Sequence, residues 1–257
     1  MTLEFFYMLG AAVMGLAIGS FLNVCIARLP VDLSVVRPRS RCPQCEKEII
    51  WRDNIPVLSW ILLRGKCRNC GKGISIQYPL VEIGVALLWV WGVWQYGVSL
   101  NAAAAIVFST ILVGIAMTDL QTYIIPNEYT LGGLVVGLAL AALNGVPALI
   151  SSATGAAVGF GLLLTVAYLG EKAFGQEAMG GGDIKMMAMV GAFIGWKGVL
   201  LTIFGGALFG SIVFVPLSLF GIKKLVPFGV FLSPAAFVAF VWGDAIIGWY
   251  VKTMLSG

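Results

Sequence analysis

The chain has 257 residues, of which 60% are hydrophobic and 11% charged, whereas a soluble domain is about 45–50% apolar and about 25% charged. The sequence contains no histidine, which excludes Ser-His-Asp triads, Cys-His dyads and His-ligated zinc or haem. The net charge of +4 is too small to indicate nucleic-acid binding. This composition predicts an all-α membrane protein whose hydrolytic chemistry, if it has any, uses carboxylates, a Ser-Lys pair, a thiolate or a metal.

The apolar runs predict a polytopic bundle of about eight transmembrane helices, since one bilayer span takes about 20 apolar residues. The first run, residues 5–27, is uncharged, and a polar segment follows it up to residue 77. The expected organisation is a first transmembrane helix (1–29), a cytoplasmic loop domain (30–77) and a transmembrane core (78–257). The remaining predicted spans are 79–97, 101–118, 130–146, 149–170, 184–196, 198–220 and 228–251.

The basic residues predict the orientation in the membrane. Ten of the sixteen Lys and Arg residues lie in or beside the 28–77 loop, and the positive-inside rule places such a loop in the cytoplasm. With eight spans, fourteen basic residues fall inside and only Lys197 and Lys252 outside. Both termini are then outside. Losing one span would invert every later segment, so this asymmetry supports the predicted number of spans.

Glycine is frequent, with 33 residues. Small residues spaced four apart let helix backbones approach closely in lipid. The pairs Gly155/Gly159 and Gly206/Gly210 therefore predict close helix packing.

Four of the five cysteines form two C-x-x-C pairs in the cytoplasmic loop, with 21 residues between the pairs. This spacing is typical of a tetrahedral four-thiolate zinc site. A disulfide pair or a redox dithiol is the alternative, but stable disulfides are rare in the cytoplasm. A closed four-cysteine site has no open position for catalysis, so the predicted zinc is structural. Its ligands are Cys42, Cys45, Cys67 and Cys70, while Cys25 in the first span is expected to be a buried apolar residue.

Two acids are predicted at the same level of the membrane. Asp119 ends the third span and Asp183 opens the sixth after a run of glycines, and the topology puts both positions on the cytoplasmic side. Ionisable residues are rare in membrane spans and mark functional sites, so an acid in or at the end of a span is a candidate functional residue. The alternative is two separate interfacial acids that cap helices or reach the solvent.

A close pair of carboxylates suits peptide hydrolysis. Both cannot ionise cheaply, so one stays protonated while the other becomes a base, as in aspartic proteases. The base would take a proton from an attacking water, and the acid would stabilise the oxyanion and protonate the leaving nitrogen. Gly180, Gly181 and Gly182 form the expected active-site loop, because residues without side chains let an extended substrate approach the carboxylate.

These motifs resemble the bacterial type IV prepilin peptidases, a family of GxGD-type intramembrane aspartic proteases. The resemblance covers most of the chain, and it departs at Val230, where the family often has proline. The matching segments are Gly19-Ser-Phe-Leu-Asn-Val24, Arg28-Leu-Pro30, Cys42-Pro-Gln-Cys45, Asn54-Ile-Pro-Val-Leu-Ser-Trp60, Arg64-Gly-Lys-Cys67-Arg-Asn-Cys70, Tyr78-Pro-Leu-Val-Glu82, Asp119 with Pro126-Asn127, and Gly180-Gly-Gly-Asp183-Ile-Lys185.

The resemblance implies that Asp119 and Asp183 are the catalytic pair of a peptidase in the bacterial cytoplasmic (inner) membrane. Its substrates would be the N-terminal segments of type IV prepilins or type II secretion pseudopilins, cleaved after a glycine on the cytoplasmic face. The resemblance also implies N-methylation of the new N-terminus with S-adenosylmethionine, although the sequence places no site for this donor. No Rossmann fingerprint is present, since the glycine run does not follow a strand.

Two other classes of function remain open from the residues alone. An ion- or proton-coupled transporter would place its acids near the bilayer midplane on repeated, discontinuous helices, and an assembly scaffold would need no paired acids. Three further residues have structural expectations: Glu82 holds two helices by hydrogen bond or meets a substrate, Lys185 is a positive-inside anchor, and Asp244 pairs with a buried partner.

Overall fold

The computed structural model describes residues 3–176, 179–219 and 227–255. Within these ranges it contains eight α-helices and no strand, which confirms the predicted all-α class. Short 3-10 turns lie at Leu29–Val31 and Trp51–Asp53, and one π turn lies at Val251–Leu255. The helices are α1 (Leu3–Arg28), α2 (Leu58–Leu62), α3 (Gln77–Tyr96), α4 (Leu100–Thr122), α5 (Asn127–Leu143), α6 (Val146–Phe174), α7 (Gly181–Leu219) and α8 (Gly229–Tyr250).

Among the residues that the structure describes, five helices are long and apolar enough to cross a membrane: α1, α4, α6, α7 and α8. The apolar helix α5 is shorter, with 17 residues. Large apolar side chains stay exposed along these helices, including Phe6, Leu164 and Phe204. Lipid is as apolar as these side chains, so their exposure is expected in a bilayer. The protein is an integral membrane protein.

The sixth and seventh predicted spans lie on the two halves of α7, which meet at a kink. Gly195 interrupts the helix with φ 68° and ψ 177°, a conformation that residues with a Cβ rarely adopt. This glycine separates two helical halves that correspond to the predicted spans 184–196 and 198–220. The sequence pattern therefore located the break.

The chain divides into two compact units, residues Met1–Gly114 and Ile115–Gly257. In the first unit α1 packs against α3. A Cβ added at Gly15 would lie 2.6 Å from the Ala86 Cα, and one at Gly19 would lie 2.7 Å from the Glu82 Cα. Only glycine permits such close approach of the backbones. The predicted three-part division at residues 29 and 77 stays a prediction.

In the second unit Gly155, Gly159 and Gly206 pack closely against a neighbouring helix as predicted, whereas a Cβ at Gly210 would lie 3.9 Å from Phe231, an ordinary contact distance. Gly155 and Gly159 on α6 face the backbone of α7 so closely that a Cβ at either would collide with a carbonyl oxygen of that helix. Ser152 adds a hydrogen bond, with its Oγ donating to the Ala192 carbonyl at 2.6 Å. Gly206 on α7 accommodates Leu232 of α8, whose Cδ2 would lie 2.8 Å from an added Cβ.

Candidate metal centre and active site

The four loop cysteines converge on one point. Their Sγ atoms all lie within 4.8 Å of one another, and the Cys42 and Cys70 sulfurs are 3.9 Å apart. All five cysteines of the chain are unbridged, so the disulfide alternative is not the one observed. As predicted, Cys25 is a buried residue of α1. The cluster can hold a metal ion.

The two C-x-x-C segments have the same backbone. The N–H of Cys42 donates to the Lys47 carbonyl at 3.0 Å, and the N–H of Cys67 donates to the Lys72 carbonyl at 2.8 Å. Four residues after the first cysteine of each pair, the chain enters the left-handed region, at Glu46 (φ 58°) and Gly71 (φ 71°). Each tight turn presents its two thiols on one side, which is the geometry of a metal-binding knuckle.

The electrostatics of this cluster favour a cation. The backbone N–H groups of Gln44 and Cys45 lower the pKa of Cys42 to about 6. The Lys72 N–H also lowers the pKa of Cys70, but desolvation and the neighbouring thiols outweigh it and raise that pKa to about 11. Four thiolates this close repel one another, and a bound divalent cation removes the repulsion. The donor set of four sulfurs suits Zn²⁺.

One carboxylate ties two segments of the loop to each other, and a second ties the loop to the helices. Asp53 receives a bidentate pair of hydrogen bonds from Arg68, both 2.7 Å long, and this guanidinium lowers the pKa of Asp53. Glu82 of α3 accepts the backbone N–H of Val57 at 2.7 Å and a hydrogen bond from the Ser20 hydroxyl of α1. The expectation that Glu82 holds two helices is therefore met, and it holds the loop as well.

A cavity of ≈ 500 Å³ lies in the first unit, between the loop and the adjoining ends of α1 and α3. Its lining includes the metal-cluster residues Cys42 and Cys67 together with the aromatic rings of Trp60 and Tyr78. No sequence pattern indicates this cavity, because its walls come from segments as far apart as residues 20 and 82.

In the second unit, Asp119 lies in the last turn of α4 and is only 4% exposed. The helix ends three residues later, where Tyr123 adopts φ 59° and donates its N–H to the Asp119 carbonyl at 2.9 Å. The first backbone N–H groups of α8, those of Val230 and Gly229, face the Asp119 carboxylate. Its Oδ2 atom is buried and has no hydrogen-bond partner of good geometry among the described residues.

Asp183 lies in the first turn of α7, and its backbone N–H closes a turn onto the Gly180 carbonyl at 3.1 Å. Its Oδ1 atom is also buried without a partner among the residues described. The Asp119 and Asp183 carboxylates lie within electrostatic reach of each other. Helices α4 and α7 thus bring together two acids that are 64 positions apart, each with one unsatisfied oxygen.

Ile125 sits between two glycines next to this pair. A Cβ at Gly182 would lie 2.9 Å from the Ile125 Cβ, and one at Gly229 would lie 3.0 Å from the Ile125 Cδ1 and 2.8 Å from the Asp119 Oδ2. Side chains at these two glycines would displace the segment that follows α4. The α7 end of the site is tied to α5, since Lys185 donates to the Asn127 side-chain oxygen at 2.9 Å.

Sequence reasoning missed Gly229, Val230 and Ile125 and was wrong about one residue. Asp244 was expected to pair with a buried partner, but it is exposed on α8, because the turn of the helix directs position 244 away from the neighbouring helices. Val230, the position at which the sequence departs from the family, also belongs to the site. Its N–H faces Asp119, and a proline at that position would have no N–H to offer.

The fold and these sites define an integral membrane protein with a paired-carboxylate centre and a four-cysteine cluster. Two family models match the chain: the "Bacterial Peptidase A24 N-terminal domain" over residues 13–96 and the "Type IV leader peptidase family" over residues 106–215. No solved structure matches it.

Curated relatives extend the match over almost the whole sequence. A protein of Stutzerimonas stutzeri is 34% identical over 96% of this chain and 94% of its own length, and one of Bacillus subtilis is 32% identical over 95% and 98%. A Myxococcus xanthus protein is 44% identical over 78% of this chain, although the match spans only 60% of that longer protein. All three are called prepilin leader peptidase/N-methyltransferase. The chain belongs to the Type IV leader peptidase family.

Proposed function

We propose that this protein is a membrane-embedded aspartic endopeptidase that removes the leader from type IV prepilins or type II secretion pseudopilins. The observation that carries the proposal is the pairing of Asp119 and Asp183, each with a buried oxygen that has no partner in the part of the chain that the structure describes. Buried polar atoms are normally satisfied, and exceptions concentrate where chemistry is done. The transporter and scaffold alternatives have no comparable observation in their favour.

The two carboxylates act as one unit. Asp119 is buried, Asp183 is half-buried, and the two carboxyl groups are close, so they share a proton: one is a carboxylic acid and the other a carboxylate. The carboxylate takes a proton from the water that attacks the scissile carbonyl, and the acid donates a hydrogen bond to the developing oxyanion and then a proton to the leaving nitrogen. The N–H groups of Gly229 and Val230 orient the Asp119 carboxylate, while Gly180, Gly181 and Gly182 leave room for the substrate backbone.

The membrane level of the pair fits this substrate. Asp119 is close to one end of α4 and Asp183 is at the start of α7, so both acids lie near a membrane boundary and not at its centre. A prepilin has a basic leader followed by an apolar helix, and basic segments stay in the cytoplasm. The proposed site is therefore on the cytoplasmic side of a bacterial inner membrane, with residues 1–29 as the first span, 30–77 as the cytoplasmic loop and 78–257 as the peptidase core.

Two bound groups complete the proposal. The four cysteines hold a structural Zn²⁺, because a tetrahedral all-thiolate set is the one this metal prefers in closed sites. The protein also N-methylates the new N-terminus, as the names of its relatives imply for those proteins. When bound, S-adenosylmethionine supplies a methyl group: a C–N bond forms to the amine, the C–S bond breaks with its electrons left on sulfur, and the amine releases a proton.

The decisive experiment incubates purified protein in detergent with a prepilin-like peptide and follows the products by mass spectrometry. We expect Asp119→Asn and Asp183→Asn each to abolish cleavage, because asparagine keeps the shape but can neither accept nor release the shared proton. The double variant should cleave no more slowly than either single variant, since two residues that act as a unit lose most of the activity at the first substitution.

Asp244→Asn is the matched control, because this exposed aspartate is also on a membrane helix but has no part in the pair. It should cleave at close to the parent rate. An Asn variant at 119 or 183 that is folded and still cleaves at near the parent rate would overturn the aspartic mechanism.

A further inference from the structure

Ile125 forms an apolar wall beside the paired carboxylates of Asp119 and Asp183. It lies in the short segment between α4 and α5, and its side chain is half-buried, so part of it is open to an incoming chain. The Ile125 Cδ1 and the Asp119 Oδ2 both lie within 3.0 Å of the point at which a Cβ of Gly229 would stand. These two atoms are therefore no more than about 6 Å apart.

The backbone that carries Ile125 is held on both sides. Before it, Tyr123 donates its N–H to the Asp119 carbonyl at 2.9 Å from a left-handed turn. After it, Pro126 is buried and precedes α5 with an extended backbone (φ −61°, ψ 144°). A proline restricts the residue before it to extended conformations, and a β-branched side chain has few rotamers. Ile125 is therefore a fixed obstacle.

The residues that border Ile125 show how little room it leaves. A Cβ at Gly182 would lie 2.9 Å from the Ile125 Cβ, and one at Gly229 would lie 3.0 Å from the Ile125 Cδ1. Favourable contacts between carbon atoms lie at about 3.5–4.0 Å, so both positions are too close for a side chain. Next to Asp119, the space bounded by Ile125 thus accommodates backbone atoms and excludes a further methyl group.

The substrate residue that meets this wall is the one before the scissile bond. Reacting atoms must come within about 3–3.5 Å of each other, and the Cα of that residue is bonded to the attacked carbonyl carbon at about 1.5 Å. Under the proposed function, the leader lies on the cytoplasmic side and the apolar helix of the substrate lies in the membrane. Ile125 follows the end of α4, on the leader's side of Asp119. It therefore faces the last residue of the leader.

We infer that Ile125 is the residue that restricts this substrate position to glycine, because its Cδ1 atom occupies the space that a substrate Cβ would need. The inference rests on the proposed function for the reaction and deepens it by naming a specificity-determining residue. The resemblance to prepilin peptidases implies cleavage after a glycine, and Ile125 gives that preference a physical cause. One extra methylene group in a pocket changes the specificity by about 10–200-fold. The parent should therefore cleave an alanine peptide at least about tenfold more slowly than a glycine peptide.

The test compares two prepilin-like peptides that differ only in having glycine or alanine before the scissile bond. Each is incubated with purified protein in detergent, and mass spectrometry confirms which bond is cut. Ile125→Val removes the Cδ1 atom and keeps the Cβ that faces Gly182, whereas Ile125→Ala removes most of the wall. The ratio of kcat/KM for the alanine peptide to that for the glycine peptide should rise several-fold in Ile125→Val and about tenfold or more in Ile125→Ala.

Ile124→Ala is the matched control. Ile124 is the neighbour of Ile125 in the same segment, and its side chain is 47% exposed, so this variant should keep the parent ratio. A ratio that rises no more in Ile125→Val than in Ile124→Ala would overturn the inference. Equal cleavage of both peptides by the parent would also overturn it. So would a folded Ile125→Val protein that cleaves neither peptide, because opening a wall should not abolish the reaction.

The two proposals fail separately. If the parent protein cleaves neither peptide, the proposed function is wrong. If the parent cleaves the glycine peptide and Asp119→Asn abolishes this cleavage, the aspartic mechanism stands. An unchanged ratio in the Ile125 variants would then mean that only the assignment of Ile125 is wrong.

Discussion

Replacing Gly229 by alanine should impair the paired-carboxylate site without unfolding the protein. The new Cβ would lie 2.8 Å from the Asp119 Oδ2 and 3.0 Å from the Ile125 Cδ1. Ordinary contacts begin at about 3.5 Å, so the carboxylate or the start of α8 has to move by roughly 0.5 Å. A misplacement of about 1 Å can cost about 100-fold in rate. We therefore expect roughly tenfold slower cleavage.

The expected change in stability is smaller than the change in rate. Forcing an extra methyl group into a packed site costs about 1–3 kcal/mol, while alanine in place of glycine in a helix returns up to about 1 kcal/mol. Thermal unfolding in detergent should thus shift only modestly, and the rate is measured with a fluorescent prepilin-like peptide. Gly248→Ala, on the same helix with nothing within 4 Å of the new Cβ, should cleave at the parent rate. Equal rates for the Gly229 and Gly248 variants would refute the reasoning.

Two further predictions concern the loop. The purified protein should contain one zinc per chain by elemental analysis, and Cys42→Ser should release it and lower the unfolding temperature, because structural zinc contributes folding free energy; full zinc retention by this variant would contradict the assignment. A single cysteine placed in the loop at exposed Arg39 should resist an impermeant maleimide added to intact cells, and labelling from outside would reverse the proposed orientation.

The sequence alone predicted those parts of the protein that depend on residues close together in the chain. The C-x-x-C spacing identified all four cysteines of the cluster, because each pair forms its turn from adjacent residues. Asp119 and Asp183 stood out since acids are rare in apolar helices, and the topology placed them at one level. Their role in catalysis is still a prediction, but their proximity is a feature of the fold.

The parts that depend on distant segments could not be found in this way. Gly229 lies 110 positions after Asp119, and nothing in its neighbourhood indicates that its N–H faces a carboxylate. Gly195 marks the interruption between the two predicted spans, but the sequence did not show that the two helical halves meet there directly, without a loop. Glu82 was recognised as an acid within a predicted span. Its partner Val57 lies in the loop, where no hydrophobic periodicity indicates which residue contacts the helix.

The two knuckles allow a last prediction about the cost of backbone strain. They share the same hydrogen bonds and the same left-handed residue, but the first has Glu46 at this position and the second has Gly71. A residue with a Cβ pays about 1–2 kcal/mol in the left-handed region. Nothing lies within 4 Å of a Cβ added at Gly71, so Gly71→Ala introduces this strain and no collision.

We expect Gly71→Ala to lose zinc to a chelator about fivefold faster than the parent, the rate equivalent of roughly 1 kcal/mol. Gly71→Asn should lose it less readily than the alanine variant, because asparagine tolerates the left-handed conformation better. Glu46→Gly relieves the strain of the first knuckle, but the gain is offset by the greater freedom of glycine in the unfolded chain, so its release rate should stay near that of the parent. If Gly71→Ala and Gly71→Asn release zinc at the same rate, the left-handed backbone is not what limits the stability of the knuckle.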